Sequence, residues 1–340
     1  MFREKSKEML TEEVLSRGAE EFAIDPSSLE LIGGFENIIY AGQRGEEPVV
    51  LRITHHCHRT AEELAFELHW ISYLKKHGAD VAGAHFSRRG NYVESVLCQG
   101  TWLHFCCFEK ARGKHIEIKQ ELGNTELFRV WGRAAGRLHR ITRGYSPPPN
   151  LPRRQDNIEV FWEVLAPFLP ADEHMTSRVA ALAREIQGLS KASTWYGLMH
   201  YDLHQSNFVF DGQTVTLFDF DDCCYYQLAA DAAIALYYAV WGSRLQGEAK
   251  DEFGQIFLRH WLEGYLSEHS MAREQLDTLP LLMLFRDCEL YALLRDEFDL
   301  ANLSPGEADL LAAMETRIRE NRPIVRIDYS KLWQDLAGSH

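Results

Sequence analysis

His200-Tyr201-Asp202-Leu203-His204-Gln205-Ser206-Asn207, followed by Phe208–Phe210, Asp211-Gly212, Thr214–Phe218 and then Asp219-Phe220-Asp221-Asp222, is the stretch on which the reading of this chain turns. An Asp-Gly pair between two apolar, β-branched runs predicts a β-hairpin. A hairpin returns the chain to its starting point. Asn207 at the entrance and Asp219 at the exit are therefore predicted at one open end, with Asp202 in the loop just before. Asp202, Asn207, Asp219 and Asp221 bring hard oxygen atoms together, and such ligands suit magnesium. A magnesium ion with few protein ligands takes the rest from phosphate.

The same letters admit two plainer readings. One is a surface loop rich in turn-formers, with Asp and Asn as ordinary caps. The other is a zinc hydrolase, because His200, Asp202 and His204 alternate and would share a face on a strand. Zinc chemistry explains neither Asn207 nor the second acidic cluster.

The pattern His-x-Asp-x-x-x-x-Asn, hairpin, Asp-Phe-x resembles the catalytic and metal loops of the kinase fold. In the form HYDLHQSN with FDFDD it is similar to the aminoglycoside phosphotransferase and choline kinase superfamily. The resemblance implies an α+β, two-lobed protein-kinase-like fold, with a nucleotide-binding lobe over 1–112 and a catalytic and substrate-binding lobe over 113–340. It implies ATP and Mg2+ as cofactors. Asp202 would orient the acceptor hydroxyl and take its proton, Asn207 and Asp219 would hold the metal, and His200 and Asp231 would support the catalytic loop. The acceptors it implies are small hydroxylated molecules, cationic ones among them: amino alcohols, aminoglycosides, homoserine or sugars. A protein serine or threonine, or a non-catalytic nucleotide-binding role, stays open beside these.

The first third reads as strand-rich with one inserted helix. Leu29–Tyr40 and Pro48–Thr54 have strand composition, with a turn over Gly42–Glu47 between them. Thr60–His77 reads as a helix that opens on a Thr60/Glu63 capping box and stops at Gly78. Its apolar stripe is Leu64, Leu68, Ile71 and Leu74, and Glu67 falls within that stripe. A carboxylate on a buried face needs a partner, and Arg52 in the strand VVLRIT is the natural one. In the resembling family a lysine stands on that strand to hold phosphate, so Arg52 is a departure, although its planar fork also suits phosphate oxygens. Gly33 and Gly34 in Ile32–Asn37 could let backbone approach phosphate or could form a plain turn. Phe108–Gly113 resembles the interlobe hinge, where the backbone of Glu109 and Ala111 would pair with adenine. Asn91–Cys98 and Thr101–Glu109 read as two further strands.

Beyond Gly113 the pattern turns helical, over Thr125–Arg143, Ile158–Leu169, Glu173–Lys191 and again from Leu228 onward. His55–His58 has no standard zinc spacing and reads as a connecting loop. Tyr225, Tyr226, Tyr237, Tyr238 and Trp241 could wall a substrate pocket, although aromatic residues on helices more often belong to a core. Cys223 and Cys224 read as semi-buried thiols.

The 340 residues are enough for two lobes. Thirty-six basic against 50 acidic side chains give a net charge of −14, which argues against a nucleic-acid partner. The opening stretch MFREKSKEML has no apolar segment of a signal peptide, and no run approaches the roughly 20 apolar residues of a membrane span. Seven cysteines without scaffold spacing point to reduced thiols and a cytoplasmic protein. The oligomeric state is not legible.

Overall fold

The computed structural model describes residues 9–34 and 36–337. Residues 1–8, Phe35 and 338–340 lie outside these, and with them most of the charged opening stretch, one position of the Ile32–Asn37 turn and the extreme ends of the two expected lobes. Two compact units result. Among the described residues, one comprises those up to 112 with 145–154 and 216–221; the other comprises 113–144, 155–215 and those from 222 onward.

The first unit is an antiparallel sheet with helices. Helix α1 (Glu12–Glu21) starts at Thr11, whose side chain accepts from the amide of Val14. The sequence reading expected one helix here, so α1 is a correction. The sheet has the order β1 (Glu30–Gly33), β2 (Ile38–Arg44), β3 (Glu47–His55), β6 (Thr101–Glu109), β4 (Ala84–His85), with β5 (Glu94–Cys98) also on β6. The expected single strand Leu29–Tyr40 is two strands. Gly34 breaks it: its φ is +110°, and a Cβ there would lie 2.1 Å from the carbonyl oxygen of Asn37, so only glycine makes this turn. The expected turn Gly42–Glu47 is shorter, because β2 runs on to Arg44 and Gly45 turns with φ +64°.

Helix α2 (Ala61–Lys76) begins on the complete Thr60/Glu63 capping box. Leu64, Leu68, Ile71 and Leu74 are buried, and so are Phe66 and Trp70. Phe66 meets Tyr145 and Trp70 meets Phe220, both edge to face. The helix is thus covered on more sides than its apolar stripe requires.

The second unit is mainly helical. Helix α3 (Thr125–Thr142) is capped by Asn124. The expected helix over Ile158–Leu169 is instead α4 (Asn157–Val160), a π turn over Phe161–Leu165 and a 3-10 turn over Ala166–Phe168. Pro167 lacks the amide needed to continue regular helix. Helix α5 (Glu173–Gln187) ends at Gly188. Strand β7 (Tyr196–Met199) pairs antiparallel with β10 (Cys224–Gln227), a non-local ladder that the sequence reading did not contain. The hairpin strands β8 (Phe208–Phe210) and β9 (Val215–Leu217) pair as expected. Helices α6 (Ala229–Ser243), α7 (Gly247–Leu266), α8 (Arg273–Leu276), α9 (Leu279–Glu297), α10 (Pro305–Glu320) and α11 (Tyr329–Ala337) follow.

Helices α3 and α7 approach to backbone contact. A Cβ on Gly132 would lie 1.8 Å from the carbonyl oxygen of Trp261, and one on Gly264 would lie 1.9 Å from that of Arg129. All seven cysteines are free thiols, with Cys57 exposed and the other six buried. Cys223 and Cys224, expected semi-buried, are 2% and 5% exposed. No helix among the described residues is long and apolar enough to cross a membrane.

Candidate active site

Asp202 sits in the loop between β7 and β8 and has a donor on each carboxylate oxygen. Arg286 Nη2 donates to Oδ1 at 2.8 Å. Asn207 Nδ2 donates to Oδ2 at 2.8 Å, and His204 Nε2 lies 3.1 Å from the same oxygen. The Nδ1 of His204 accepts from the amide of Ser206 at 3.1 Å, which leaves Nε2 as the protonated nitrogen facing Asp202. Burial alone raises the Asp202 pKa, but His204 and Arg286 outweigh it and hold the carboxyl well below the usual range. The group is therefore an ionised acceptor of hydrogen bonds.

Asn207 also donates to the carbonyl of Asp202 at 2.9 Å. Both bonds use Nδ2, so Oδ1 is the atom directed away and the one suited to a hard cation. Three neighbouring groups fix the loop. The amide of Asp202 donates to Nδ1 of His200 at 3.3 Å. The amide of Tyr201 donates to Oδ1 of the fully buried Asp231 at 3.0 Å. Oδ2 of Asp231 pairs with Nε2 of His139 at 2.8 Å. Tyr201 has φ +68°, a left-handed conformation unusual for an aromatic residue, and its amide's bond to Asp231 helps to hold it there.

The zinc face of the alternative reading, His200, Asp202 and His204, does not form among the described residues. Among the described residues the one trio of histidine, cysteine or acidic side chains close enough to share an ion is Glu36, His58 and Asp221. There His58 Nε2 lies 2.5 Å from Asp221 Oδ2 and 3.1 Å from Glu36 Oε2, and Arg59 Nε lies 3.5 Å from the other oxygen of Asp221. Burial lowers the His58 pKa, and Asp221 more than restores it. This is an ion-pair cluster already supplied with cations. His55, the last residue of β3, is not in it.

In the first unit Arg52 forms a bidentate pair with Glu67, both contacts at 2.8 Å, with side chains 4% and 1% exposed. Arg154 approaches the same carboxylate at 3.7 Å. Arg52 also lies 5.0 Å over the ring of Phe108. Gly33 ends β1 and Gly34 opens the turn to β2; a Cβ on Gly33 would meet nothing within 4 Å. At the end of β6 the amide of Glu109 donates to the carbonyl of Gly83 at 2.8 Å, and its side chain pairs with Lys75 at 2.7 Å. Ala111 follows in irregular backbone. Asp219 is exposed with φ +62°.

Residues 29–268 match the sequence model of the phosphotransferase enzyme family. The chain belongs to this family. Amicoumacin kinase of Bacillus subtilis (strain 168) is 30% identical over 323 residues, which are 94% of this chain and 96% of that protein. A solved amicoumacin kinase in complex with AMP-PNP, Ca2+ and Ami superposes with a TM-score of 0.91 at 30% identity, covering 98% of this chain and 100% of that one. The microcompartment-associated aminopropanol kinase shares the fold, with a TM-score of 0.72 at 20% identity over 90% of this chain and 95% of that one. The fold is therefore the α+β kinase-like one of this family. The chain is an ATP-dependent phosphotransferase that acts on a hydroxyl of a small molecule.

Several residues around Asp202 of this phosphotransferase escaped the sequence reading. Arg286 donates to the Tyr238 hydroxyl at 3.0 Å as well as to Asp202, and it pairs with Glu289 at 3.5 Å. Buried Glu289 accepts from the Tyr201 hydroxyl and from Asn157. Tyr238 stacks on Trp241 with centroids 5.8 Å apart, and its ring meets His204 at 4.4 Å with a 38° tilt. The aromatic stretch thus divides: Tyr226 and Tyr237 are core, 2% and 0% exposed, whereas Tyr238 and Trp241 are half-buried, with Tyr238 against His204 of the Asp202 loop. The available signal was the run Phe285-Arg286-Asp287-Cys288-Glu289, which sets charges within an otherwise apolar helix.

Proposed function

We propose that this phosphotransferase moves the γ-phosphoryl group of magnesium-bound ATP onto a hydroxyl of amicoumacin or of a compound built like it. The near full-length similarity to amicoumacin kinase supports the acceptor. One observation carries the chemistry: the Asp202 carboxylate is ionised and held on both oxygens by Arg286, Asn207 and His204.

Asp202 accepts a hydrogen bond from the acceptor hydroxyl and aims its oxygen at the γ-phosphorus. As that bond forms, the bond from phosphorus to the departing ADP oxygen breaks, and the hydroxyl proton passes through Asp202 to solvent. A carboxylate of depressed pKa is a weak base, and positioning is the larger part of such catalysis. Tyr238 and Trp241 offer the acceptor an aromatic wall beside that carboxylate.

Asn207 through Oδ1 and Asp219 through its carboxylate are the ligands we assign to magnesium, a donor set of hard oxygens that fits the ion. Bound there, the ion would supply neutralisation of charge on the phosphate oxygens. Residues 1–112 form the nucleotide lobe. In it the carbonyl of Glu109 and the amide of Ala111 meet adenine, Gly33 and Gly34 let backbone near phosphate, and Glu67 fixes Arg52 as the phosphate-side cation. Residues 113–340 form the catalytic and acceptor lobe, with His200 and Asp231 supporting its loop. Seven free thiols fit work in the cytoplasm.

The test is ADP release with MgATP across amicoumacin, ethanolamine, choline, homoserine, aminoglycosides and a serine-containing peptide, with mass analysis of each acceptor. Phosphorylation of amicoumacin in clear preference to the others is expected. Turnover confined to another acceptor would overturn the choice of acceptor. Nucleotide binding without turnover on any of them would place the acceptor outside this set.

A further inference from the structure

The second unit carries a concave basic site lined by none of the residues assigned to the reaction. A cavity of about 550 Å³ lies between the start of α7 and the end of α10 with the segment that follows, and Lys250, Arg317, Arg322 and Arg326 line it against one acid, Asp251. In a chain of net charge −14, the four lining cations still exceed the acids paired with them, Asp251, Asp287 and Glu320, by one positive charge. The lining acid is already consumed, since Arg326 bonds Asp251 through both its amide and Nε at 3.0 Å. Arg317 is anchored from behind by buried Asp287, with Nε to Oδ2 at 2.9 Å, which fixes one edge of its guanidinium. Arg322 pairs with Glu320 at 3.2 Å, where both side chains are more than half exposed. Lys250 has no ion pair among the described residues. Burial first, then Arg317, Arg322 and Arg326, hold its pKa down against the opposing pull of Asp251. Cations that repel one another across a cavity are relieved by an anion between them.

The backbone adds to this. Gln246 and Gly247 line the same cavity, and α7 begins there with no side-chain cap. The positive end of a 20-residue helix therefore borders the site.

We propose that this cavity binds a soluble, multiply charged phosphate compound at a place distinct from the phosphotransfer centre. Its phosphate oxygens would lie among Lys250, Arg317 and Arg322 and face the first turn of α7. The volume exceeds what a single orthophosphate fills, which favours a di- or polyphosphate group.

The test uses the full chain with the nucleotide site filled by AMP-PNP and a divalent cation, titrated calorimetrically with inorganic pyrophosphate at constant ionic strength set with sodium chloride. Saturable heat is expected for the wild-type chain. The double variant Lys250→Glu, Arg322→Glu is expected to weaken binding by about tenfold or more, while AMP-PNP affinity and basal ADP release stay unchanged. Lys250→Gln with Arg322→Gln replaces it if charge reversal disturbs folding. Absence of saturable heat in the wild-type chain, or equal pyrophosphate affinity in wild type and variant, overturns the proposal.

Discussion

Arg286 and Asp202 lie 84 residues apart in sequence and 2.8 Å apart in space. The arginine comes from the middle of α9, the aspartate from a loop, and the same Nη2 also donates to the hydroxyl of Tyr238 on α6. A long helix thus sets the orientation of a loop carboxylate, and rigid elements position reacting groups better than loops do.

Replacing Arg286 by alanine is expected to lower kcat by about ten- to a hundredfold, the scale of losing one positioned donor, with AMP-PNP affinity retained. Asp202→Ala is expected to abolish transfer with nucleotide binding likewise intact. Steady-state ADP release paired with calorimetric titration of AMP-PNP separates the two effects. Wild-type-like transfer by Asp202→Ala would remove the assigned role.

Glu67→Gln tests the buried pair of the first unit. Glu67 is fully buried and faces both Arg52 and Arg154. Neutralising it leaves buried guanidinium charge without compensation, at a cost of about 3–5 kcal/mol. Arg52→Lys keeps the charge and gives up the bidentate geometry, so its loss is expected to be smaller. Urea unfolding of the three proteins checks the order, and equal stability of Glu67→Gln and wild type would refute it.

Two histidines set an acid limit on stability. Burial and neighbouring His56 hold the pKa of His104 down to about 4, and burial and His139 do the same for His269. Both are neutral in the folded chain, whereas an unfolded histidine titrates near 6.5. Their stabilisation is complete above the unfolded value and is lost as pH falls from about 6.5 through about 4, because the unfolded state binds more protons there. The loss is on the order of 1 kcal/mol per histidine after solvent screening. Melting temperatures across that window are expected to fall for the wild type and to fall less for His104→Asn.

Gly132→Ala and Gly264→Ala each insert a methyl group into backbone of the opposing helix, at 1.8 Å and 1.9 Å. Neither contact can be relieved by rotating a side chain, so α3 and α7 must separate. Each variant is expected to lose about 3 kcal/mol or more. Gly123→Ala, where a Cβ meets nothing within 4 Å, is the control, and urea midpoints decide.

What the sequence made legible was local. The Asp211-Gly212 hairpin, the Thr60/Glu63 box and the placing of Glu67 in an apolar stripe all depend on spacings of a few residues, and each has its counterpart in the structure. The grouping of Asp202 with Asn207 was readable for the same reason. Long-range partners were not. Arg286, Tyr238 and His139 reach the catalytic loop from three different helices, and no periodicity in one helix announces which residue of another segment it will meet. The ladder between β7 and β10 was lost in the same way. The turn at Gly33 and Gly34 was one of two readings the glycines allowed, and the positive φ of Gly34 is what ends β1 there.

The distribution of the seven thiols gives the chain a built-in handle. Cys57 alone is exposed, and it adjoins His58, the partner of Asp221. A maleimide dye should therefore attach at one position of the native protein without any cysteine being engineered away. That dye sits on the segment joining the Arg52 strand to α2. Counting the six thiols that become reactive only on denaturation would turn the same reagent into a direct measure of global unfolding.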